Sequence, residues 1–119
     1  MITTRIISTG ACVPEQVITN DDLSKIVDTS DEWITQRPGI KRRHISAGEN
    51  TSYFAINTAR QVLERAEVSA EDVDLIIVAS VTADYGTPSL ACMVQKEIGA
   101  VNAVAFDVNA ACSGFMFAL

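Results

Sequence analysis

The apolar positions along the chain change period several times, and each change marks an element. Ala55, Ile56, Ala59, Val62, Leu63 and Ala66 recur three and four apart, the spacing of one face of an α-helix. Thr51 or Ser52 precedes that stripe as its cap. Leu90, Ala91, Val94 and Ile98 repeat the helical spacing. Thr87-Pro88 reads as the start of this second helix, with proline at the first helical position, and Gly99 as its stop. Two other runs are apolar without a period: Leu75 to Ala79, within Val73 to Val81, and Ala103 to Val108. Runs of that length suit strands buried on both faces, as in parallel sheets covered by helices.

The first part of the chain is less regular. Arg5 to Ser8 reads as a strand, followed by a turn at Gly10 and Pro14. Asn20 caps a short helix with Asp21 and Asp22 in its first turn, and Leu23, Ile26 and Val27 mark one face of it. Thr29-Ser-Asp-Glu32 has the form of a capping box, with Thr29 as the cap and Glu32 as its return partner. It opens a second short helix carrying Trp33 and Ile34, which Pro38-Gly39 stops. Ile40 to Ile45 is a strand or an extended loop, and Ser69 to Asp72 a short turn. Strands alternating with helices predict an α/β fold, a mostly parallel sheet flanked by helices. The 119 residues allow one domain at most.

Composition narrows the function. The chain is 48% apolar and 20% charged, with a net charge of -6. That balance does not suit binding to nucleic acid or an anionic membrane surface. No apolar run approaches the ~20 residues of a membrane span. The N-terminus lacks a basic stretch followed by an apolar core, the mark of a signal peptide. Cys12, Cys92 and Cys112 are odd in number and widely spaced. Free thiols in a reducing cytoplasm are expected, with no metal-ligand spacing.

Chemistry concentrates at the end of the chain. The Ala103–Val108 run is followed by Asn109, Ala110, Ala111, Cys112, Ser113 and Gly114, then by the apolar Phe115 to Leu119. This predicts a strand, a tight turn and the start of a helix. Unpaired N–H groups and the helix dipole favour negative charge there, an environment that lowers a thiol pKa and supplies a thiolate nucleophile. Small neighbours would let a substrate approach the sulfur. The alternative is a buried structural cysteine. Cys12 and Cys92 read as structural, Cys92 within an apparent core stripe.

Arg37, Lys41, Arg42 and Arg43, with His44, form a basic cluster in an acidic chain. It suits a phosphate-bearing ligand or an acidic partner, or is simply solvated surface. Trp33 precedes Arg37 by one helical turn. The pair could sandwich a nucleotide base, unless Trp33 is a partly buried core residue. His44 lies in the basic segment and is not expected to be a base for Cys112.

With these pieces placed, the chain resembles the N-terminal part of the β-ketoacyl-acyl-carrier-protein synthase III family, condensing enzymes of the thiolase-like superfamily. The matching runs are Ile7 to Gly10, Pro14 to Val17, Thr19-Asn20, Val27-Asp-Thr-Ser-Asp-Glu-Trp-Ile34, Arg37-Pro-Gly-Ile-Lys-Arg-Arg43, Pro88-Ser89 and Phe106-Asp-Val-Asn-Ala-Ala-Cys-Ser-Gly-Phe115. The resemblance implies a thiolase-like fold of which residues 1–119 form the N-terminal portion of the first half, ending just after the nucleophile turn. It implies that Cys112 accepts an acyl group from acyl-coenzyme A. The acyl-cysteine is then condensed with malonyl-acyl carrier protein, with loss of carbon dioxide.

In the same reading Trp33 stacks on the adenine of coenzyme A, and Arg37 and Thr29 line the nucleotide end of that site. Thr87 contributes to the acyl pocket across a homodimer, and its small size admits a longer acyl chain. The substrates are acyl-coenzyme A and malonyl-acyl carrier protein, with no metal or redox cofactor. The histidine and asparagine that the family takes from its second half have no counterpart here, so the chain is expected to be a piece. Two rivals stand beside this expectation. One is a related synthase of specialised polyketides or quinolones, or one making a hydroxymethylglutaryl thioester. The other is a non-catalytic fragment that only folds or dimerises.

Overall fold

Two pairs of strands organise the structure, a computed structural model that describes residues 4–119. Backbone contacts divide it into two units, one formed by residues 4–12 with Asn50–Leu119 and the other by Val13–Glu49.

The larger unit contains α3 (Thr51–Ala66), β3 (Leu75–Ala79), α4 (Leu90–Ile98), β4 (Val104–Val108) and α5 (Gly114–Ala118); the smaller holds β1 (Gln16–Thr19), α1 (Asn20–Ser24), α2 (Asp31–Gln36) and β2 (Arg42–Ile45). In the larger unit β3 and β4 pair in parallel, from Leu75 beside Val104 to Ala79 beside Val108. The crossover between them is α4, which packs against α3 and both strands. Leu90, Ala91, Val94, Ala100 and Ala103 are buried here and form the apolar core. This is the α/β pattern expected from the alternating periods.

Burial of both strand faces is not found. Ile76 and Val78 line a cavity toward α3 and α4, whereas Leu75, Val104 and Phe106 remain 50%, 64% and 43% exposed. They lie on the side of α5, a helix of five residues and too short to cover it. The strand expected at Arg5–Ser8 is also absent. No described strand pairs with it, and a strand exists only through its ladder. Residues 9–11 instead bond to α3: the Ala11 N–H donates to Gln61 Oε1 at 2.9 Å and Arg65 Nη1 to the Thr9 carbonyl at 2.8 Å.

The helix ends show where local reading fails. Asn50 occupies the cap position of α3 without a side-chain cap bond. The Ser52 N–H donates instead to both oxygens of Asp84, at 3.2 Å each, and the Thr51 hydroxyl donates to the Thr82 carbonyl. The α4 helix starts two residues later than Pro88 would place it. Its cap is Ser89, whose hydroxyl accepts from Cys92 N–H; the Thr87–Pro88 peptide is cis and precedes the helix. Gly99 does end α4, at φ +78°, a left-handed conformation that glycine adopts without a steric penalty.

In the smaller unit β1 and β2 are antiparallel, from Gln16 opposite Ile45 to Thr19 opposite Arg42. The β1 strand was not foreseen, whereas β2 falls within the expected Ile40–Ile45 stretch. The cap of α1 is Thr19 rather than Asn20. The Thr19 hydroxyl accepts from the Asp22 N–H, and Asp22 accepts from the Thr19 N–H, closing a capping box. Hydrogen bonding to the Thr19 hydroxyl, and then to Lys25, holds the Asp22 carboxyl well below its ordinary range. The cap of α2 is Ser30, accepting from Trp33 N–H at 3.1 Å, so Thr29 is not the cap. Glu32 accepts from Gln36 and does not return to the cap.

Asn20 is only 1% exposed and works as a hub. Its amide donates to Asp31 Oδ1 and to the Ile40 carbonyl, and its oxygen accepts from Arg43. Both N–H donors and the oxygen of the amide therefore have partners, as a buried amide requires.

Candidate active site

The Cys112 turn begins where β4 ends. After Val108 the chain passes through Ala110 into a 3-10 turn, Ala111–Ser113, and then into α5. Ala111 has φ +45°. A left-handed alanine costs about 1–3 kcal/mol, and such strain gathers at functional turns. The bend presents Cys112 with its thiol exposed.

The hollow beside the sulfur is lined by Ile77, Ala79, Ala111, Phe115, Ala118 and Leu119. Gly114 makes the turn fit. A Cβ there would stand 3.0 Å from the Ala79 Cβ, so a side chain at this position fits only if α5 and β3 part by a few tenths of an ångström. The expected arrangement, with the thiol on the first turn of a helix, is corrected in one respect. Cys112 sits within the 3-10 turn, and the Ser113 and Gly114 N–H groups donate to the Ala110 and Ala111 carbonyls. The left-handed Ala111 reverses the chain before α5 can begin.

Chemically, the turn offers an exposed thiol beside an apolar hollow, flanked by alanine, serine and glycine. That arrangement suits a covalent step in which a carbonyl carbon approaches sulfur and an apolar group lies alongside. Cys92 is the other exposed thiol, and its position in a core stripe is not found. Its Sγ is 3.8 Å from the Ala105 carbonyl. Cys12 is half-buried.

The remaining candidates fall into two groups. Thr29 and Trp33 line one open depression with Asp28 and Ser30. Trp33 is 52% exposed, so it is not a core tryptophan. The Arg37 guanidinium lies 4.2 Å from its ring centre, and Nη1 donates to the Trp33 carbonyl. An exposed indole with a cation on one face leaves the other face open to a flat ligand. Thr87 is exposed in the loop after β3 and does not line the hollow beside Cys112. The basic cluster is divided in its roles. Arg43 donates to Asn20 and the Thr19 carbonyl, and His44 Nδ1 contacts the Pro14 carbonyl at 2.6 Å. Both are thereby tied into the smaller unit. Among the described residues no group of His, Cys, Asp or Glu could hold a metal, and no helix is long and apolar enough to cross a membrane.

The parallel strand pair and its crossover helix have the α/β form of the thiolase-like fold shared by solved structures that this chain resembles. No protein-family model matches the chain. Within that class the chain matches an N-terminal portion of β-ketoacyl-acyl-carrier-protein synthase III. The protein of that name from Clostridium novyi is 55% identical over 119 residues, which are all of this chain and 37% of that protein. The crystal structure of 3-oxoacyl-acyl-carrier-protein synthase III from Aquifex aeolicus superposes with a TM-score of 0.90 at 50% identity, covering 97% of this chain and 37% of that one. The priming β-ketosynthase of a polyketide biosynthetic pathway superposes at 0.89 with 34% identity, covering 96% of this chain and 34% of that one. The chain thus spans about a third of the length of the relatives it matches.

Two contributors to this unit escaped sequence reading: Asp84, which caps α3, and Asp107, which caps α4. The signal for Asp107 was present, since it is the only charged residue in the Ala103–Val108 run.

Proposed function

We propose that the chain is part of an initiating condensing enzyme of fatty-acid synthesis, in which Cys112 takes an acyl group from acyl-coenzyme A. The observation that carries this reading is the exposed Cys112 thiol at the left-handed Ala111 turn, open to an apolar hollow. The thiolate attacks the thioester carbonyl, the tetrahedral adduct collapses with cleavage of its bond to the coenzyme A sulfur, and coenzyme A leaves as its thiolate, which takes a proton from solvent. The acyl chain remains on sulfur. In the second half-reaction malonyl-acyl carrier protein loses carbon dioxide. The resulting carbanion attacks the acyl-cysteine, a carbon–carbon bond forms and the Cys112 thiolate is released. The product is a β-ketoacyl-acyl carrier protein. Loss of carbon dioxide supplies the carbanion, so neither half-reaction calls for a redox or metal cofactor. The condensation half belongs to a longer protein, with groups supplied by the part of the relatives that lies outside the matched length.

In this reading Trp33 stacks on the adenine of coenzyme A, with Arg37 backing the ring and Thr29 beside it. Thr87 shapes the acyl pocket across a homodimer, and the enzyme is cytoplasmic. A second reading, a priming synthase for a specialised polyketide, draws support from the 34% identical ketosynthase and from the small Thr87.

Intact mass measurement after incubation with a chain-length series of acyl-coenzyme A thioesters tests the first step. One acyl adduct is expected, and it disappears in Cys112→Ser. The acyl-transfer reading is overturned if no adduct forms, or if the adduct persists in Cys112→Ser because Cys92 carries it.

A further inference from the structure

The cations of the smaller unit are used unequally. Lys25 pairs with Asp22 at 2.9 Å, Arg43 donates to Asn20 and to the Thr19 carbonyl, and Arg37 lies against the Trp33 ring. Lys41 and Arg42 are exposed. Among the described residues neither side chain pairs with a carboxylate. The strand opposite β2, Gln16–Thr19, is uncharged, so nothing across the ladder offsets Arg42. Neither residue lines the depression at Trp33 or the hollow at Cys112. The two form an open cationic edge, outside both candidate small-molecule sites.

The backbone under this edge is held on both sides by one buried side chain. Gly39, at φ +75°, turns the chain between α2 and β2. The Asn20 amide then donates to the Ile40 carbonyl, just before Lys41, and its oxygen accepts from Arg43, just after Arg42. Neighbouring residues of a strand point to opposite faces, so with Arg43 drawn to Asn20 the Arg42 side chain points the other way. Cations carried on a held strand lose less freedom when they meet a partner. The chain has a net charge of -6. An acidic protein is therefore repelled by the chain as a whole and attracted at this edge, which fixes the orientation of an encounter.

We propose that Lys41 and Arg42 are a docking edge for an acidic protein, the acyl carrier protein that bears the malonyl group. They meet carboxylates on its surface, while coenzyme A is held elsewhere. The identity of the partner rests on the condensing-enzyme reading above; the docking edge itself does not.

Carrier protein lacking its phosphopantetheine arm isolates the contact between protein surfaces. Its binding to the chain is measured by surface plasmon resonance at low and at physiological salt, and coenzyme A binding by calorimetry. Carrier binding is expected to weaken as salt rises, because exposed charges are screened. Lys41→Glu with Arg42→Glu is expected to weaken carrier binding at low salt about tenfold and to leave coenzyme A binding unchanged. Lys41→Arg with Arg42→Lys keeps the charges and retains carrier binding. Lys96→Glu, a charge reversal on α4 of the other unit, also retains it.

The proposal is overturned if the double reversal binds the carrier as well as the unsubstituted chain does, or if Lys96→Glu weakens binding equally. It is also overturned if coenzyme A affinity falls together with carrier affinity, which would assign the two cations to the phosphates of the nucleotide. Carrier binding that is indifferent to salt, or absent from the unsubstituted chain, overturns it without recourse to a variant. Failure of Cys112 to take an acyl group from acyl-coenzyme A defeats the acyl-transfer reading instead, and the carrier measurement still decides the docking edge.

Discussion

The two units are held together in different ways. The larger unit has an apolar centre, with Leu90, Ala91, Val94, Ala100 and Ala103 buried between helices and a parallel strand pair. The smaller unit buries one apolar side chain, Ile34, and one polar one, Asn20. It is held by the bonds Asn20 makes to Asp31, Ile40 and Arg43. The contrast has a functional side. The apolar unit places a thiol with the precision of packed neighbours, Gly114 against Ala79. The polar unit leaves a large aromatic, Trp33, on its surface with Arg37 against one face. A covalent step needs the first kind of support, whereas recognition of a flat polar ligand needs the second.

Leu90→Ala should sharpen this contrast most. It empties a fully buried leucine site, and a loss of about 2–5 kcal/mol is expected from lost contacts and the residual cavity, read by chemical denaturation followed by circular dichroism. Asn20→Ala comes next. It strands Arg43, Asp31 and the Ile40 carbonyl, at an expected cost of about 1–3 kcal/mol. Trp33 is the only tryptophan and lies in the same unit, so its fluorescence follows the transition. A negligible effect of Asn20→Ala would break the comparison, because the small unit would then stand without its polar hub.

A functional difference of smaller size follows. Trp33→Ala is expected to weaken coenzyme A binding about tenfold by calorimetry, the scale of one base–aromatic stack, while leaving the labelling of Cys112 by iodoacetamide intact. Equal binding by the variant would remove Trp33 from the ligand site. The smallest effect concerns acid. Asp22 has its folded pKa lowered from the ordinary 3.8, so its contribution is present above that value and is lost as pH falls through the folded one. The Asp22 side chain is 45% exposed, and solvent screening keeps the contribution small. Asp22→Asn should flatten the acid limb of the Trp33 fluorescence transition, and an unchanged limb would count against the Thr19–Asp22 box as a stabilising element.

Much of the fold could be read from pattern, and the misses share a cause. The two helical stripes and the two apolar runs became α3, α4, β3 and β4; burial on every third or fourth residue of a helix leaves a period, and the unbroken apolar runs mark the strands although only one face of each is covered here. Caps leave only a choice among adjacent candidates. Thr19 and Asn20 can each cap a helix, as can Thr29 and Ser30. Tertiary bonds made the choice by drawing Asn20 to Asp31, Ile40 and Arg43, which left the cap to Thr19. Cys92 was misplaced for a simpler reason. Two residues beyond Leu90 on a helix is the opposite side of the cylinder, and the thiol is exposed there.

For the site, the sequence located the thiol turn through its small residues and set Trp33 one helical turn from Arg37. These are local matters, fixed by neighbours along the chain. It did not disclose the left-handed Ala111, the close approach of Gly114 to Ala79, or the carboxylates that cap from a distance. Asp84 reaches Ser52 across 32 positions and Asp107 reaches Leu90 across 17. Such bonds depend on where the sheet and its crossover helix bring the backbone. The order and type of α3, β3, α4 and β4 were therefore determined by the sequence alone, whereas β1 was not. Their ends, and the geometry in which the thiol is held, were decided only by tertiary structure, because a hydrogen bond between distant residues leaves no period along the chain.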